Sequence, residues 1–237
     1  METSVDEIED GVFRLSTYVQ PADFTFNQYL IRADEPLLFH TGPAAMFPLI
    51  SAALSRVVPV GSLRWVSFGH HESDESGSMN EWLRAATQAQ IAVGEIGCMI
   101  SMNDLAARPP RALKGSETLD LGGKRVRWLA TPHVPHCWDA GVLFEETTGT
   151  LLCGDLFTSV GRHPATSEAD PVGPALAAED IFHATALTAT TARSIRDLAE
   201  LRPRTLALMH GPAYRGDCAS ALHALADGYA ERFASAL

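Results

Sequence analysis

Between positions 68 and 77 the chain reads Phe68-Gly69-His70-His71-Glu72-Ser73-Asp74-Glu75-Ser76-Gly77, directly after an apolar run. On extended backbone, residues two apart project to one side, so His70, Glu72 and Asp74 can face a common point, with Glu75 adjacent. Imidazole and carboxylate groups gathered in this way are metal ligands. Taken alone, the segment could equally be a solvated acidic loop. Three later segments repeat the pattern: Ala130-Thr131-Pro132-His133-Val134-Pro135-His136-Cys137-Trp138-Asp139, Leu151-Leu152-Cys153-Gly154-Asp155, and Leu206-Ala207-Leu208-Met209-His210-Gly211-Pro212. Each is an apolar run that ends in a histidine or aspartate beside Gly or Pro. Four such ends can converge on one rim of a sheet sandwich, and together they read as a metal site.

Positioning these groups takes strands, and the patterning supplies them. Alternating or short apolar runs predict strands at 12–19, 26–32, 37–40, 63–68, 124–129 and 205–209. A hairpin joins 142–145 to 150–153 around Thr147-Thr148-Gly149. Helices are expected at 44–57, at 78–88 from a capping box of Ser78 and Glu81, at 179–201 before Pro203, and at 218–235. The Pro/Gly/Ser/Asp-rich stretch 163–174 reads as a loop or lid over a site. With strands preceding helices in both halves, residues 1–237 read as a single α/β domain, two sheets between helical layers.

Bulk composition bounds the function. Of 237 residues 46% are apolar and 20% charged, enough for a sizeable core. A formal net charge of -11 argues against a nucleic acid or an anionic membrane as partner. No secretion signal, apolar span or disulfide framework is visible, so the cytoplasm is the expected compartment. Cys98, Cys137, Cys153 and Cys218 read as small buried hydrophobes.

The motif set resembles the metallo-β-lactamase superfamily, and within it the diiron domain of flavodiiron proteins and the related stand-alone oxygen-binding diiron proteins. Asn27-Gln28-Tyr29-Leu30-Ile31 looks like the family's N-x-Y-L-I strand, and His70, Glu72 and Asp74 fall on its H-x-E-x-D-H motif. The resemblance implies a four-layer αββα sandwich and two metal ions. The first ion would take His70, Glu72 and His133; the second Asp74, His210 and Glu75, with Asp155 bridging. Two departures stand out. Glu75 occupies the final histidine position of the motif, and no flavodoxin domain follows, so no flavin is expected in this chain.

Glu72 decides the subclass, because zinc hydrolases of the superfamily carry histidine there. Carboxylates at Glu72, Asp74, Glu75 and Asp155 favour two iron ions, with zinc and manganese as alternatives. The expected activity is binding and reduction of dioxygen or nitric oxide, fed by an external electron-transfer protein. The competing readings are a dioxygen sensor or carrier without turnover, and a two-metal hydrolase of an ester, thioester or lactone. A homodimer is compatible with all three. His136 is a candidate pocket residue or a hydrogen-bonded partner of a ligand. His40 is either such a partner or a core histidine, and His71 points away by alternation. Tyr214 either approaches a bound diatomic molecule or is turned outward by Gly211-Pro212.

Overall fold

The computed structural model describes residues 1–235 and contains two seven-stranded sheets. The first holds β1 (Thr3–Glu9), β2 (Val12–Val19), β3 (Phe24–Ile31), β4 (Leu37–Phe39), β5 (Trp65–Ser67), β6 (Gln90–Gly94) and β7 (Arg111–Leu113), side by side in chain order. The short links from β1 to β4 allow antiparallel pairing. From β4 onward the pairing is parallel, because helical crossovers intervene. These are α1 (Phe47–Leu54), then α2 (Ser73–Ser76) and α3 (Met79–Ala85), then α4 (Glu95–Gly97), which continues through Cys98–Met102 into α5 (Asn103–Leu105).

The second sheet holds β8 (Thr118–Asp120), β9 (Arg125–Ala130), β10 (Gly141–Glu145), β11 (Thr150–Leu152), β12 (Thr166–Ser167), β13 (Thr205–Ala207) and β14 (Ala213–Tyr214). Its spatial order is β12-β14-β13-β11-β10-β9-β8. Against its outer face lie α6 (Val172–Phe182), α7 (Thr191–Ala199) and α8 (Cys218–Ser235).

Strand alternation builds the layers. Leu143, Leu152 and Ala207 join the core shared with the first sheet. Their neighbours Val142, Phe144, Leu151, Leu206 and Leu208 face the other way, onto Ile195 and Leu198 of α7 and Leu222 and Leu225 of α8. A strand buried on both faces reads as a continuous apolar run, as these do. Trp65, Trp128 and Phe68 are core residues.

Three expectations need correction. The helix expected over 179–201 is two helices: α6 ends at His183 in the left-handed conformation (φ 50°), and α7 begins at Thr191. Thr188, Thr190 and Thr191 hydrogen-bond one another and the local backbone between them, competing with helix continuation. Ser78 does not cap α3; its hydroxyl donates to the Thr41 carbonyl at 2.7 Å. The stretch 163–174 is no lid over the metal-ligand rim. Part of it pairs as β12 with β14, and Asp170 accepts the backbone N–H of Val172 and Gly173 to start α6. Strands β1, β6, β7, β8 and β14 are short or charged and gave no clear sequence signal.

Candidate metal centre

β9, β11 and β13 run in one direction, so their C-terminal ends open on one edge, and β5 of the other sheet delivers Phe68-Gly69-His70 to the same place. The sheets are tied there by Gly141 N–H donating to Gly69 O at 2.9 Å and Asn27 N–H donating to Met209 O at 3.0 Å. Six side chains converge in two groups. His70, Glu72, His136 and Asp155 form the first; Asp74, Asp155 and His210 form the second; within each group the donor atoms lie within 4.8 Å of one another.

Glu72 Oε2 lies 2.9 Å from Nε2 of both His70 and His136. Asp155 reaches both groups: Oδ2 is 3.5 Å from His136 Nε2, and Oδ1 is 3.2 Å from His210 Nε2. Asp74 Oδ2 is 3.3 Å from the same His210 nitrogen. The two carboxylate oxygens of Asp155 therefore face different halves of the cluster.

His210 is held from behind. Its Nδ1–H donates to Thr25 O at 2.8 Å, which fixes the tautomer with Nε2 free toward the cluster. Its ring packs on Phe24 and Phe26. The N-x-Y pattern of β3 has its physical explanation in this turn. Asn27 donates to the carbonyls of Leu208 and Gly211, each at 2.8 Å, and Tyr29 donates to Leu208 O at 2.7 Å. At Asp155, Gly154 is left-handed (φ 56°) and lets the loop pass close to Glu75.

Two residues differ from the expected ligand set. His133 is exposed and stands outside both groups, and His136 takes its place. The cause is the loop after β9. His133 is left-handed (φ 66°), its N–H donates to Cys137 O, and Thr131 Oγ1 donates to Val134 O. This tight loop throws Pro132 and His133 outward and buries Val134, turning His136 in. The buried pair Val134-Pro135 was the available sequence signal. Glu75 belongs to neither group. The single turn of α2 rotates it away from the cavity, to accept the His70 backbone N–H at 2.8 Å. Three carboxylates, not four, face the cluster.

Cys137 Sγ lies close to ring nitrogens of both His70 and His136. His40 is buried beside Glu75, and exposed His71 bonds Ser76 through Nδ1. Tyr214 lines a separate cavity with Ser159 and His163, away from the cluster.

Over the two groups lies a cavity of about 260 Å³. Phe24, Pro135, Ala175, Ala178 and Phe182 supply its apolar wall, while Glu179 and Thr185 add polar groups bonded to each other at 2.6 Å. Sequence reading missed this wall, because α6 shows no feature that distinguishes a pocket face from a core face.

The cluster suits cations. Asp155 Oδ1 is buried and accepts no hydrogen bond. Among the described residues no lysine or arginine pairs with Glu72, Asp74 or Asp155; histidines alone approach them. Burial pushes the His70 and His210 imidazoles down, but the surrounding carboxylates outweigh it and hold both up at about 10. Hydrogen bonds from His136 and His70 hold the Glu72 carboxyl well below its usual range. Burial raises the Asp155 carboxyl, and the histidines more than reverse this, bringing it to about 2.

These shifts fix a pH profile for the metal-free chain. The two histidines contribute stability that is complete below their ordinary 6.5 and lost as pH rises through about 10. Glu72 and Asp155 contribute stability present above their ordinary 4.5 and 3.8 and lost as pH falls below them. Melting temperature of chelated protein should therefore peak between pH 4.5 and 6.5 and drop by several degrees toward pH 9. A profile that stays level or rises from pH 6 to pH 9 in thermal melts would contradict the assigned contacts.

Comparison with known proteins gives a family match over residues 24–211, to the family described as ODP family beta lactamase. A Synechocystis protein named as a diflavin flavoprotein is 25% identical over 79% of this chain and 33% of its own length. A hydroxyacylglutathione hydrolase of Acidiphilium cryptum is 34% identical over 56% of this chain and 57% of its own. Among solved structures, rubredoxin oxygen:oxidoreductase from Desulfovibrio gigas superposes with a TM-score of 0.81 at 20% identity, covering 98% of this chain and 62% of that one. The chain thus spans about a third of the diflavin relative it matches. At this identity the superposition establishes the four-layer αββα fold.

Proposed function

The chain belongs to the ODP family of β-lactamase-fold proteins, and from that premise we propose that it is a non-haem diiron protein that binds dioxygen or nitric oxide and reduces it. The observation that carries this reading is the placement of Glu72. Its carboxylate, not an imidazole, stands between His70 and His136 at 2.9 Å from each. With Asp74 and Asp155 it gives the cluster three carboxylates against three imidazoles.

The first ion would be held by His70, Glu72 and His136, the second by Asp74 and His210, with Asp155 spanning both. Two iron ions held there would supply redox chemistry toward a diatomic ligand, with the electrons replaced by an external donor. The chain's own residues do the rest. Three ionised carboxylates lower the cost of added positive charge, which favours oxidation of iron over retention of zinc. Thr25 O keeps His210 in one tautomer. Phe24, Ala178 and Phe182 give the approach an apolar wall. The solved relative's name, an oxygen oxidoreductase working with rubredoxin, supports the same chemistry and the need for a separate electron donor.

The test is a stopped-flow mix of iron-loaded, anaerobically reduced protein with air-saturated buffer. Near-ultraviolet absorbance of a diferric pair should rise, and Glu72→His should suppress that rise while increasing zinc retention. A second reading, a two-metal hydrolase, has one observation in its favour: the cavity has room for far more than a diatomic molecule. The identity to a hydroxyacylglutathione hydrolase points the same way. Rapid thioester hydrolysis by zinc-loaded protein, with no absorbance change in the iron form, would put that reading first.

A further inference from the structure

Glu75 is the acidic side chain of the 70–75 segment that does not face the cavity. Its carboxylate is fully buried. Oε2 accepts the His70 backbone N–H, while Oε1 lies 3.4 Å from Nδ1 of His70 and 3.3 Å from Nε2 of His40. His40 is also fully buried, and among the described residues neither of its ring nitrogens nor Glu75 Oε1 has a hydrogen-bond partner, so each is the nearest polar group the other has. One buried carboxylate thus stands between two imidazoles, one of which turns its other nitrogen to the cluster.

The backbone around this group is clamped. Thr41 N–H donates to Glu75 O at 2.6 Å, and Ser78 fixes Thr41 in turn through its carbonyl. The carboxylate is pressed against the two glycines that precede His70 and Asp155. A Cβ on Gly69 would stand 3.1 Å from Oε2, and one on Gly154 3.3 Å from Oε1. A buried carboxylate is costly unless it is paired, so a group kept here has a task that packing does not explain. Carboxylates behind a ligating imidazole fix its orientation and raise its basicity.

We propose that Glu75, backed by His40, is a positioning residue: it holds the His70 ring with Nε2 toward the cavity and leaves the second ion to Asp74, Asp155 and His210. This rests on the metal reading above. It makes the centre unequal, with a first ion in a braced ligand set and a second with fewer protein donors.

The experiment compares wild type, Glu75→Gln and His40→Gln. Co2+ titrations followed by visible absorption are repeated in a His210→Ala background, which isolates the first site. In parallel, ¹⁵N NMR of the metal-free proteins follows the His70 ring nitrogens. Glu75→Gln should weaken the first site by roughly 10–100-fold, as loss of an outer partner does, leave the second unchanged, and shift the His70 Nδ1 resonance. His40→Gln should act in the same direction with smaller size, and it decides the matter if Glu75→Gln does not fold. Loss of the second ion with the first retained would make Glu75 a ligand and overturn the proposal. Wild-type affinity and an unmoved His70 resonance in both variants would overturn it too. Wild-type protein that takes up neither Co2+ nor iron fails the metal reading instead, while the NMR of the metal-free chain still reports whether Glu75 holds His70.

Discussion

Asp155→Ala is expected to empty both halves of the centre, taking bound metal from two ions per iron-loaded chain to almost none. Asp155 faces His136 through one oxygen and His210 through the other, and among the described residues it is the one side chain common to both groups. Removing it leaves two cations facing each other with less negative charge between them. The loss should exceed the roughly 10–100-fold that removal of an outer partner costs. Elemental analysis of the purified variant checks this. Retention of a full complement would show that Asp155 does not bridge.

The second large effect separates two histidines three residues apart. His136→Ala should cost most of the first ion and the dioxygen-dependent absorbance change, because His136 Nε2 shares Glu72 Oε2 with His70. His133→Ala should leave metal content untouched, any change in stability coming from the left-handed backbone that alanine would have to adopt. The paired comparison is read by metal content and by denaturant unfolding. If His133→Ala were the damaging one, the loop after β9 would have to adopt a different path in the loaded protein.

These two residues also show how far sequence could carry the argument. The three strand ends that deliver His70, Asp155 and His210 were legible because apolar runs ending in Gly or Pro mark where a buried strand meets a loop. Glu72 was legible by alternation, since it is extended where it precedes α2, whereas Asp74 reaches the cluster from within that helical turn. The family motif then misplaced Glu75: one helical turn carries its side chain away from the cavity and into the core, against His70 and His40. The resemblance misplaced His133 as well, because a left-handed residue reverses the loop there, and backbone sign is not written in a histidine. The cavity wall was hidden for another reason. Phe24 reads as a strand residue and Phe182 as a helix residue, and their contact at 5.8 Å between ring centroids depends on where α6 ends. The break at His183 that sets this end was itself masked by helix-compatible residues on either side.

The ligands come from both sheets: His70, Glu72 and Asp74 follow β5, while His136, Asp155 and His210 follow β9, β11 and β13. Bound ions would therefore act as rivets across the sandwich, on top of the few main-chain bonds that join its two halves at that edge. Ligand that binds only the folded chain adds about 4 kcal/mol at a thousand times its dissociation constant, a large part of the 5–15 kcal/mol typical of a folded domain. Metal supply would then govern how long each molecule survives as well as whether it can react. A cell starved of iron would hold a looser chain, with three histidines and three carboxylates crowded at an unpinned seam, and would clear it through its proteases sooner than the loaded form.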